Sequence, residues 1–447
     1  MKQYRVGIIG GTGMVGQRFV TLMEGHPWFK LTAIAASAKS AGKTYEEAVS
    51  ARWAMGTPIP EEAKGIVVLD AQADAEKIAS MVDFVFCAVD MKKEEIRALE
   101  EKYARLECPV VSNNSAHRWT EDVPMVVPEI NADHIRIIDS QRKRLGTKRG
   151  FIAVKSNCSL QSYVPALHPL RKYGLEKALV CTYQAISGAG KTFERWPEMV
   201  DNCIPYIGGE EEKSEREPMK LWASIEDGKF VLADGPSITA QCFRVACSDG
   251  HMAACFMSFK EGQKPSIEQI KADWAAFSGR AQELQLPSAP KQFLHYFEEA
   301  DRPQTKLDRM LENGVIVNAA KPAITAQCLR VPVSNGHTAA VFVTFEKKPS
   351  MEEMKALWAG FKGRPQELNL PTAPKQFLHY FEEPDRPQAK LDRNLENGMA
   401  VSIGRLRPDT QYDYKFVSLS HNTLRGAAGG GVLLAELLCA EGYIDHR

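Results

Sequence analysis

The stretch from Tyr4 to Arg18, YRVGIIGGTGMVGQR, constrains the fold more than any other part of the chain. An apolar, β-branched run from Tyr4 to Gly10 reads as a strand, and Met14 to Glu24 reads as a helix. The glycines Gly10, Gly13 and Gly16 stand at the turn between them. Backbone without β-carbons lets a pyrophosphate approach closely, and a helix N-terminus offers unbonded N–H groups and a favourable dipole. Further strands are expected at Leu31–Ala36, Phe84–Val89 and Val110–Ser112, separated by helical stretches. Short strands alternating with helices imply a parallel, doubly wound α/β sheet.

The second strand runs into Ala35-Ala36-Ser37-Ala38-Lys39-Ser40, with no acid where ribose hydroxyls would be held. Ser37, Lys39 and Ser40 offer donors and a cation instead, which suits the 2′-phosphate of NADP over NAD. The expected cofactor contacts are therefore Gly10, Thr12, Gly13, Met14, Val15, Gly16, Ser37, Lys39 and Ser40.

Past Phe151 the pattern changes to longer strands with intervening helices, as in a mixed α+β domain. This part contains a repeat. Ile238–Phe259, ITAQCFRVACSDGHMAACFMSF, returns at Ile324–Phe345 as ITAQCLRVPVSNGHTAAVFVTF, and Gly279–Arg309 returns almost letter for letter at Gly363–Arg393. Two long copies inside an unrepeated chain do not make a solenoid, which needs three or more units to bury a continuous core. An extra copy inserted into an existing fold, a tandem duplication, is the expectation. Each copy has an Asp-Gly or Asn-Gly step before a histidine, which reads as a hairpin turn. A helix from Leu424 is expected to pack back on the nucleotide domain.

Charge excludes some partners. Lys plus Arg equals Asp plus Glu at 56 each, so no net field recruits nucleic acid or an anionic membrane. No stretch has the length or composition of a membrane span or signal peptide. The ten cysteines show no CxxC pair. That argues against zinc ribbons and a secreted disulfide framework, and for a reducing cytoplasm. The histidines lack ligand spacing and the acids lack a calcium-loop pattern, so no metal is expected.

Cys158, in Ser156-Asn157-Cys158-Ser159, follows the strand Phe151–Val154 and precedes a stretch, Leu160–Tyr173, that reads as a helix. A thiolate there would be stabilised by the helix dipole and nearby N–H donors. Spacing alone leaves an inert buried cysteine equally open.

Seven segments in order add to this: GTGMVGQRF, SNNSAHR from Ser112, VPEIN from Val127, SNCS around Cys158, QAISGAG from Gln184, IPYIGGEEEK from Ile204, and the Arg-to-Gly-His segments. Together they resemble the aspartate-semialdehyde dehydrogenases across nearly the whole chain, once one repeat copy is set aside. The resemblance implies a Rossmann-like NADP-binding domain (1–155, completed by the helix at 424–447). It also implies a mixed α+β catalytic and dimerisation domain (156–423), here carrying copies at about 238–320 and 324–404.

The implied reaction is NADPH-dependent reduction of L-aspartyl-4-phosphate to L-aspartate 4-semialdehyde with release of phosphate, a step toward lysine, threonine and methionine. It would proceed through a thioester on Cys158, with Asn157 as its positioning neighbour. The resemblance gives Gln184 the acyl group, Arg118 the phosphate, Glu217 the substrate amine and Lys220 the phosphate. Ser187, Gly188 and Asn422 complete the cofactor contacts, Asn422 near the nicotinamide, and Gly188 with Gly190 shapes the loop beside the thioester.

An arginine for the α-carboxylate and, seven residues on, a histidine as general base occur twice: Arg244 with His251, and Arg330 with His337. Copy one is continuous with the Glu217 helix. Copy two runs into the C-terminal strand and keeps RVPVSNGHTAAVFVTFEKKPS closer to the family pattern, so Arg330 and His337 are the expected working pair. The family usually assembles as homodimers or homotetramers. Rival readings are another acyl-phosphate or acyl-CoA reductase of the same architecture, and a catalytically silent assembly protein.

Overall fold

The computed structural model describes residues 3–311, 315–317 and 328–441. Two compact units divide the chain. The first takes 1–173, 216–234 and the described part of 265–320; the second takes 174–215, 235–264 and the described part of 321–447.

The first unit is built on seven strands: β1 (Tyr4–Ile9), β2 (Phe29–Ala36), β3 (Leu69–Asp70), β4 (Phe84–Cys87), β5 (Val110–Ser112), β6 (Met125–Val126) and β7 (Ile152–Lys155). Every neighbouring pair is parallel, in the order β3-β2-β1-β4-β5-β7-β6. Strand order therefore reverses between β1 and β4, and such a switch point opens a crevice at the carboxyl ends of the strands. Helix α1 (Met14–Met23) follows β1, and α2 (Lys93–Arg105) follows β4. Val6, Ile8, Val20 and Ile34 are fully buried in this unit's core. The Rossmann-like expectation holds, with the strand and helix limits shifted by a residue or two.

The helix expected over Leu160–Tyr173 is instead three short pieces, Ser159–Ser162, Val164–Leu167 and His168–Tyr173. Pro165 and Pro169 explain the breaks, since proline lacks the N–H that continues a helix. A four-residue turn has little of the dipole invoked for Cys158.

The second unit holds a four-stranded sheet of β8 (Leu175–Gln184), β9 (Cys203–Ile204), β10 (Ser237–Val245) and β11 (His251–Phe259), in the order β11-β8-β10-β9. The Asp249-Gly250 step does not make a hairpin. β8 lies between the two strands, parallel to β10 and antiparallel to β11. Their connection wraps over the end of β8, where Ile186 N–H donates to Cys247 O and Ser187 N–H to Ser248 O. A second sheet has β12 (His337–Val343), β13 (Leu378–Phe381), β14 (Val401–Pro408) and β15 (Tyr414–Ser420), in the order β12-β15-β14-β13. Helix α3 (Glu210–Leu221) runs from residues of the second unit into residues of the first.

Repeated sequence gives repeated local structure. Ser266 and Ser350 each cap a ten-residue helix, Ile267–Ala276 and Met351–Gly360, through a capping box. Arg302 pairs with Asp308 as Arg386 does with Asp392. The fronts of the copies differ. Copy one supplies two strands beside β8, whereas the described residues of copy two supply one, β12, paired antiparallel with β15. Ile324–Gln327 and the segment Asn318–Lys321 lie outside the described residues.

Two domain boundaries differ from expectation. The rear of copy one joins the first unit: Trp274 Nε1–H donates to Ala166 O at 2.9 Å, and Gly279 packs so closely on Glu129 that a β-carbon would lie 2.3 Å from its carbonyl oxygen. The C-terminal helix, Ala428–Ala440, belongs to the second unit rather than the nucleotide domain. Its Leu433 is buried with Leu370 and Met399, and Glu436 accepts from Thr372 N–H at 2.9 Å. Copy two offers that helix both an apolar seat and hydrogen-bond donors.

Candidate active site

The turn after β1 is held by its own backbone. Gly10 has φ +87°, and a β-carbon there would meet Ala88 O at 2.3 Å. At Gly16 a β-carbon would lie 2.1 Å from Gly10 O, so the helix can start against the turn only if this residue is glycine. Gly13 differs: it is exposed, and a β-carbon there would meet only Gly10 O, at 3.6 Å. The first intrahelical bond is Gln17 N–H to Gly13 O at 2.8 Å, so the amides of Met14, Val15 and Gly16 precede it, at the end of the helix that favours an anion. Thr12 is buried. Ser37 and Lys39 are exposed after β2, and Ser40 is buried, accepting from Arg52 Nη2–H at 3.0 Å.

Three further side chains, outside the expected cofactor contacts, support this turn. Gln17 donates to Thr12 O and Arg52 O and accepts from Ala54 N–H. Tyr45 Oη–H donates to Gly11 O at 3.0 Å. Arg52 brings a second cation to the Ser40 loop. Gln17 stood inside the GQRF segment, while Tyr45 and Arg52 carried no local signal.

The Cys158 cluster grows from the carboxyl edge of the same sheet, after β5 and β7. Cys158 is exposed, and its neighbours are buried and hydrogen-bonded. Asn157 Oδ1 accepts from Ser159 N–H and Ser159 Oγ–H, both at 2.7 Å, while Asn157 N–H donates to Glu217 Oε2 at 2.8 Å. The other Glu217 oxygen accepts from Arg118 Nη1–H at 3.0 Å, and Arg118 Nε–H donates to Lys155 O. One buried carboxylate thus ties the cysteine turn to the arginine. Burial pushes the thiols of Cys108, Cys181, Cys203 and Cys242 up to about 12, which keeps them protonated at neutral pH. Exposure at a rigid turn sets Cys158 apart from them.

Lys220 is buried, and its ammonium donates to Arg118 O at 2.6 Å, Val123 O at 3.0 Å and Thr120 O at 3.1 Å. Those bonds take the three donors an ammonium has. Burial pulls its pKa down to about 8, opposed by the Asp122 and Glu217 carboxylates. In this geometry Lys220 holds the Arg118 loop rather than reaching toward a ligand.

The second unit gathers the remaining expected groups at the end of β8. Gln184 is opposite Arg244 in one strand pairing and opposite His251 in the other. Gln184 Nε2–H donates to Thr182 Oγ1 at 3.1 Å and to Glu210 Oε2 at 3.5 Å. Ala185 engages both partners: its carbonyl accepts from Arg244 Nη1–H at 2.5 Å, and its N–H donates to His251 Nδ1 at 3.2 Å. With Nδ1 accepting, the neutral ring carries its proton on Nε2. Gly188 lies against this pair. A β-carbon there would be 2.9 Å from Arg244 Nη1 and 3.1 Å from His251 Nε2. Ser187, in the same short turn, accepts from Gly190 N–H at 2.9 Å.

Arg330 and His337 are not in that cluster. Both are exposed, and His337 starts β12, opposite Ser420 of β15. The turn before it is clamped by others: Ser334 donates to Asp201, Arg393 Nη2–H donates to Asp201 Oδ2 at 2.8 Å, and Gly336 N–H donates to Asn422 Oδ1 at 2.8 Å. Asn422, expected near the nicotinamide, is thereby committed to the second copy's turn. The pair brought to Gln184 is the first copy's, contrary to the expectation that favoured the second.

Comparison with known proteins agrees with the motifs. Residues 5–138 match the semialdehyde dehydrogenase NAD-binding domain, and 167–319 and 310–425 each match the semialdehyde dehydrogenase dimerisation domain. Aspartate-semialdehyde dehydrogenase of Archaeoglobus fulgidus is 35% identical over 442 residues, covering 99% of this chain and 100% of the relative. That of Saccharomyces cerevisiae is 34% identical, with 98% of each chain covered. A crystal structure of the Candida albicans aspartate semialdehyde dehydrogenase with NADP is 30% identical, with a TM-score of 0.54 over 99% of this chain and 100% of that one. With identity at this level over nearly the whole length, the chain belongs to the aspartate-semialdehyde dehydrogenase family.

Proposed function

We propose that this protein reduces L-aspartyl-4-phosphate to L-aspartate 4-semialdehyde with NADPH, releasing phosphate, as a step of lysine, threonine and methionine synthesis. The observation that carries the reading is the exposed Cys158 on a turn fixed by Asn157 and Glu217, with Arg118 held by the same carboxylate. The Cys158 thiolate attacks the acyl carbon, the C–O bond to phosphate breaks, and a thioester forms. A thioester accepts hydride more readily than a carboxylate, and on collapse to the aldehyde its C–S bond breaks with the cysteine sulfur leaving as a stable thiolate. The Gly10–Gly16 turn and the Ser37–Ser40 loop would hold NADPH, which would supply the hydride.

Arg118 takes the phosphate, since a guanidinium fork matches its oxygens. Glu217 keeps lone pairs for the substrate ammonium while holding its two protein partners. Gln184 orients the acyl group, Arg244 grips the α-carboxylate, and His251 acts as general base, taking up the thiol proton and, as the imidazolium, returning a proton when the thiolate leaves. The first copy's pair is favoured because Ala185 and Gly188 hold Arg244 and His251 beside Gln184. His337 of the second copy begins a strand of a different sheet, Arg330 lies outside any strand, and Lys220 acts on phosphate through the loop that bears Arg118. The protein works as a homodimer or homotetramer in the cytoplasm, where reducing conditions preserve its thiol.

The test is phosphate-dependent reduction of NADP by aspartate semialdehyde, with Cys158→Ala alongside. Activity that vanishes with Cys158→Ala, and a wild-type mass increase matching the acyl adduct after quenching, support the reading. A well-folded wild type inactive with this substrate but active with another acyl donor would replace it.

A further inference from the structure

Behind the loop that carries Arg118 lies a buried carboxylate that the proposed chemistry does not use. Glu100, on α2, is 1% exposed. Its Oε1 accepts from Ser112 Oγ–H at 2.5 Å and from Asn114 Nδ2–H at 2.9 Å. Its Oε2 is fully buried and accepts no hydrogen bond, and His117 Nε2 stands 4.0 Å from the carboxylate. Burying a carboxylate with one oxygen unsatisfied is costly, more so than an apolar residue of similar size. A purely structural filler would not need a carboxyl group there.

What Glu100 holds is the start of the loop. Ser112 ends β5, Ser112 Oγ also accepts from Asn114 N–H at 3.0 Å, and the next turn closes through Arg118 N–H to Ser115 O at 3.3 Å. From the same helix Arg97 Nε–H donates to Ala116 O at 2.8 Å, and Arg97 O lies 3.4 Å from His117 Nε2. His117 Nδ1 faces Thr120 Oγ1 at 2.9 Å. Burial lowers the His117 pKa against the raising effect of Glu100, so the ring is neutral at pH 7 and donates from Nε2. α2 therefore grips the segment from Ser112 to His117, and Lys220 grips the residues that follow it, at the Arg118, Thr120 and Val123 carbonyls. The arginine is fixed between two buried anchors.

We propose that Glu100 is a positioning residue for phosphate: through Ser112 and Asn114 it sets the loop so that the Arg118 guanidinium meets the leaving phosphate in bidentate geometry. The proposal rests on Arg118 being the phosphate ligand. Loss of two buried hydrogen bonds to the carboxyl group is enough to change phosphate affinity by about tenfold.

The experiment measures the KM for inorganic phosphate and kcat in the aldehyde-oxidising direction, together with the thermal shift that inorganic phosphate produces, a readout that needs no turnover. Glu100→Leu is expected to raise the phosphate KM about tenfold while kcat at saturating phosphate stays within about twofold, with the thermal shift displaced to higher phosphate in parallel. Glu100→Gln keeps an oxygen acceptor for Ser112 and Asn114 and is expected to recover most of the affinity. If Glu100→Leu does not fold, Asn114→Ala and Ser112→Ala each remove one of the two bonds and carry the same test. Arg118→Met separates the two levels. If Arg118→Met binds phosphate as wild type does, the phosphate-arginine assignment fails and the positioning role falls with it. If Arg118→Met loses phosphate while well-folded Glu100→Leu or Asn114→Ala retains wild-type phosphate KM and shift, the positioning role alone is overturned.

Discussion

Replacing Gly13 and Gly16 separately by alanine divides cofactor binding from folding. At Gly13 the backbone is extended, with φ −77° and ψ 164°, and a β-carbon makes only an ordinary contact with Gly10 O at 3.6 Å. Alanine at an N-cap costs about 0.5–1 kcal/mol relative to better caps, and the lost glycine flexibility of the unfolded chain returns about 0.4–1 kcal/mol. Gly13→Ala should therefore melt within about 2 °C of wild type. Its methyl group would occupy the space that a pyrophosphate needs to reach the α1 amides. Losing one or two such charge-assisted bonds, about 1.5–3 kcal/mol, weakens NADPH roughly 10- to 100-fold. At Gly16 the β-carbon would lie 2.1 Å from Gly10 O and 2.6 Å from Gly11 Cα, and backbone cannot yield cheaply. Gly16→Ala should lose about 1–3 kcal/mol of stability, at about 2–4 °C per kcal/mol, before binding is considered. Fluorescence titration with NADPH and thermal melts of the apo forms read both quantities. A Gly13→Ala protein that binds NADPH with wild-type affinity would show that the pyrophosphate does not lie over this turn.

Gly188→Ala should drive apart Arg244 Nη1 and His251, which a β-carbon would approach to 2.9 and 3.1 Å; steady-state kinetics should show kcat/KM for aspartate semialdehyde down about 10- to 100-fold, a loss of about 1.4–2.7 kcal/mol, and an unchanged value would place the pair outside the reaction. Lys220, at about 8 in the folded protein, lies below the unfolded lysine value near 10.4, so between those values the unfolded chain holds the extra proton and stability rises with pH, whereas at pH 7 both states are charged and the slope vanishes. Urea unfolding of wild type and Lys220→Met at pH 7.5 and 9.5 should show wild type gaining about 1–2 kcal/mol on the variant, and a pH-independent difference would mean that Lys220 is not desolvated as described.

Local chemistry made part of this legible in the sequence and long-range pairing hid the rest. The turn after β1 could be read because glycine spacing, a β-branched strand and the start of a helix all lie within fifteen residues. Cys158 could be placed at a strand end for the same reason, but Pro165 and Pro169 broke the helix expected after it. The Asp249-Gly250 step carried a genuine turn signal, with Gly250 at φ +93°, yet the strands on either side are parted by β8, some sixty residues upstream. That insertion decides which repeat copy meets Gln184, and no local pattern encodes it. Copy two kept the more family-like letters, but His337 pairs with Ser420 far from Gln184 in sequence and in sheet. Glu100 carried no signal at all, being one acid among several on α2 and recognisable only by its burial.

The measurement that tests the account most directly is the rate of phosphate-dependent NADP reduction by aspartate semialdehyde in His251→Ala and His337→Ala, each compared with wild type. Loss of the general acid–base should cost His251→Ala about 10²- to 10⁴-fold in kcat, with His337→Ala staying within about twofold of wild type. A dead His337→Ala protein beside an active His251→Ala protein would contradict the assignment of the working site to the first copy.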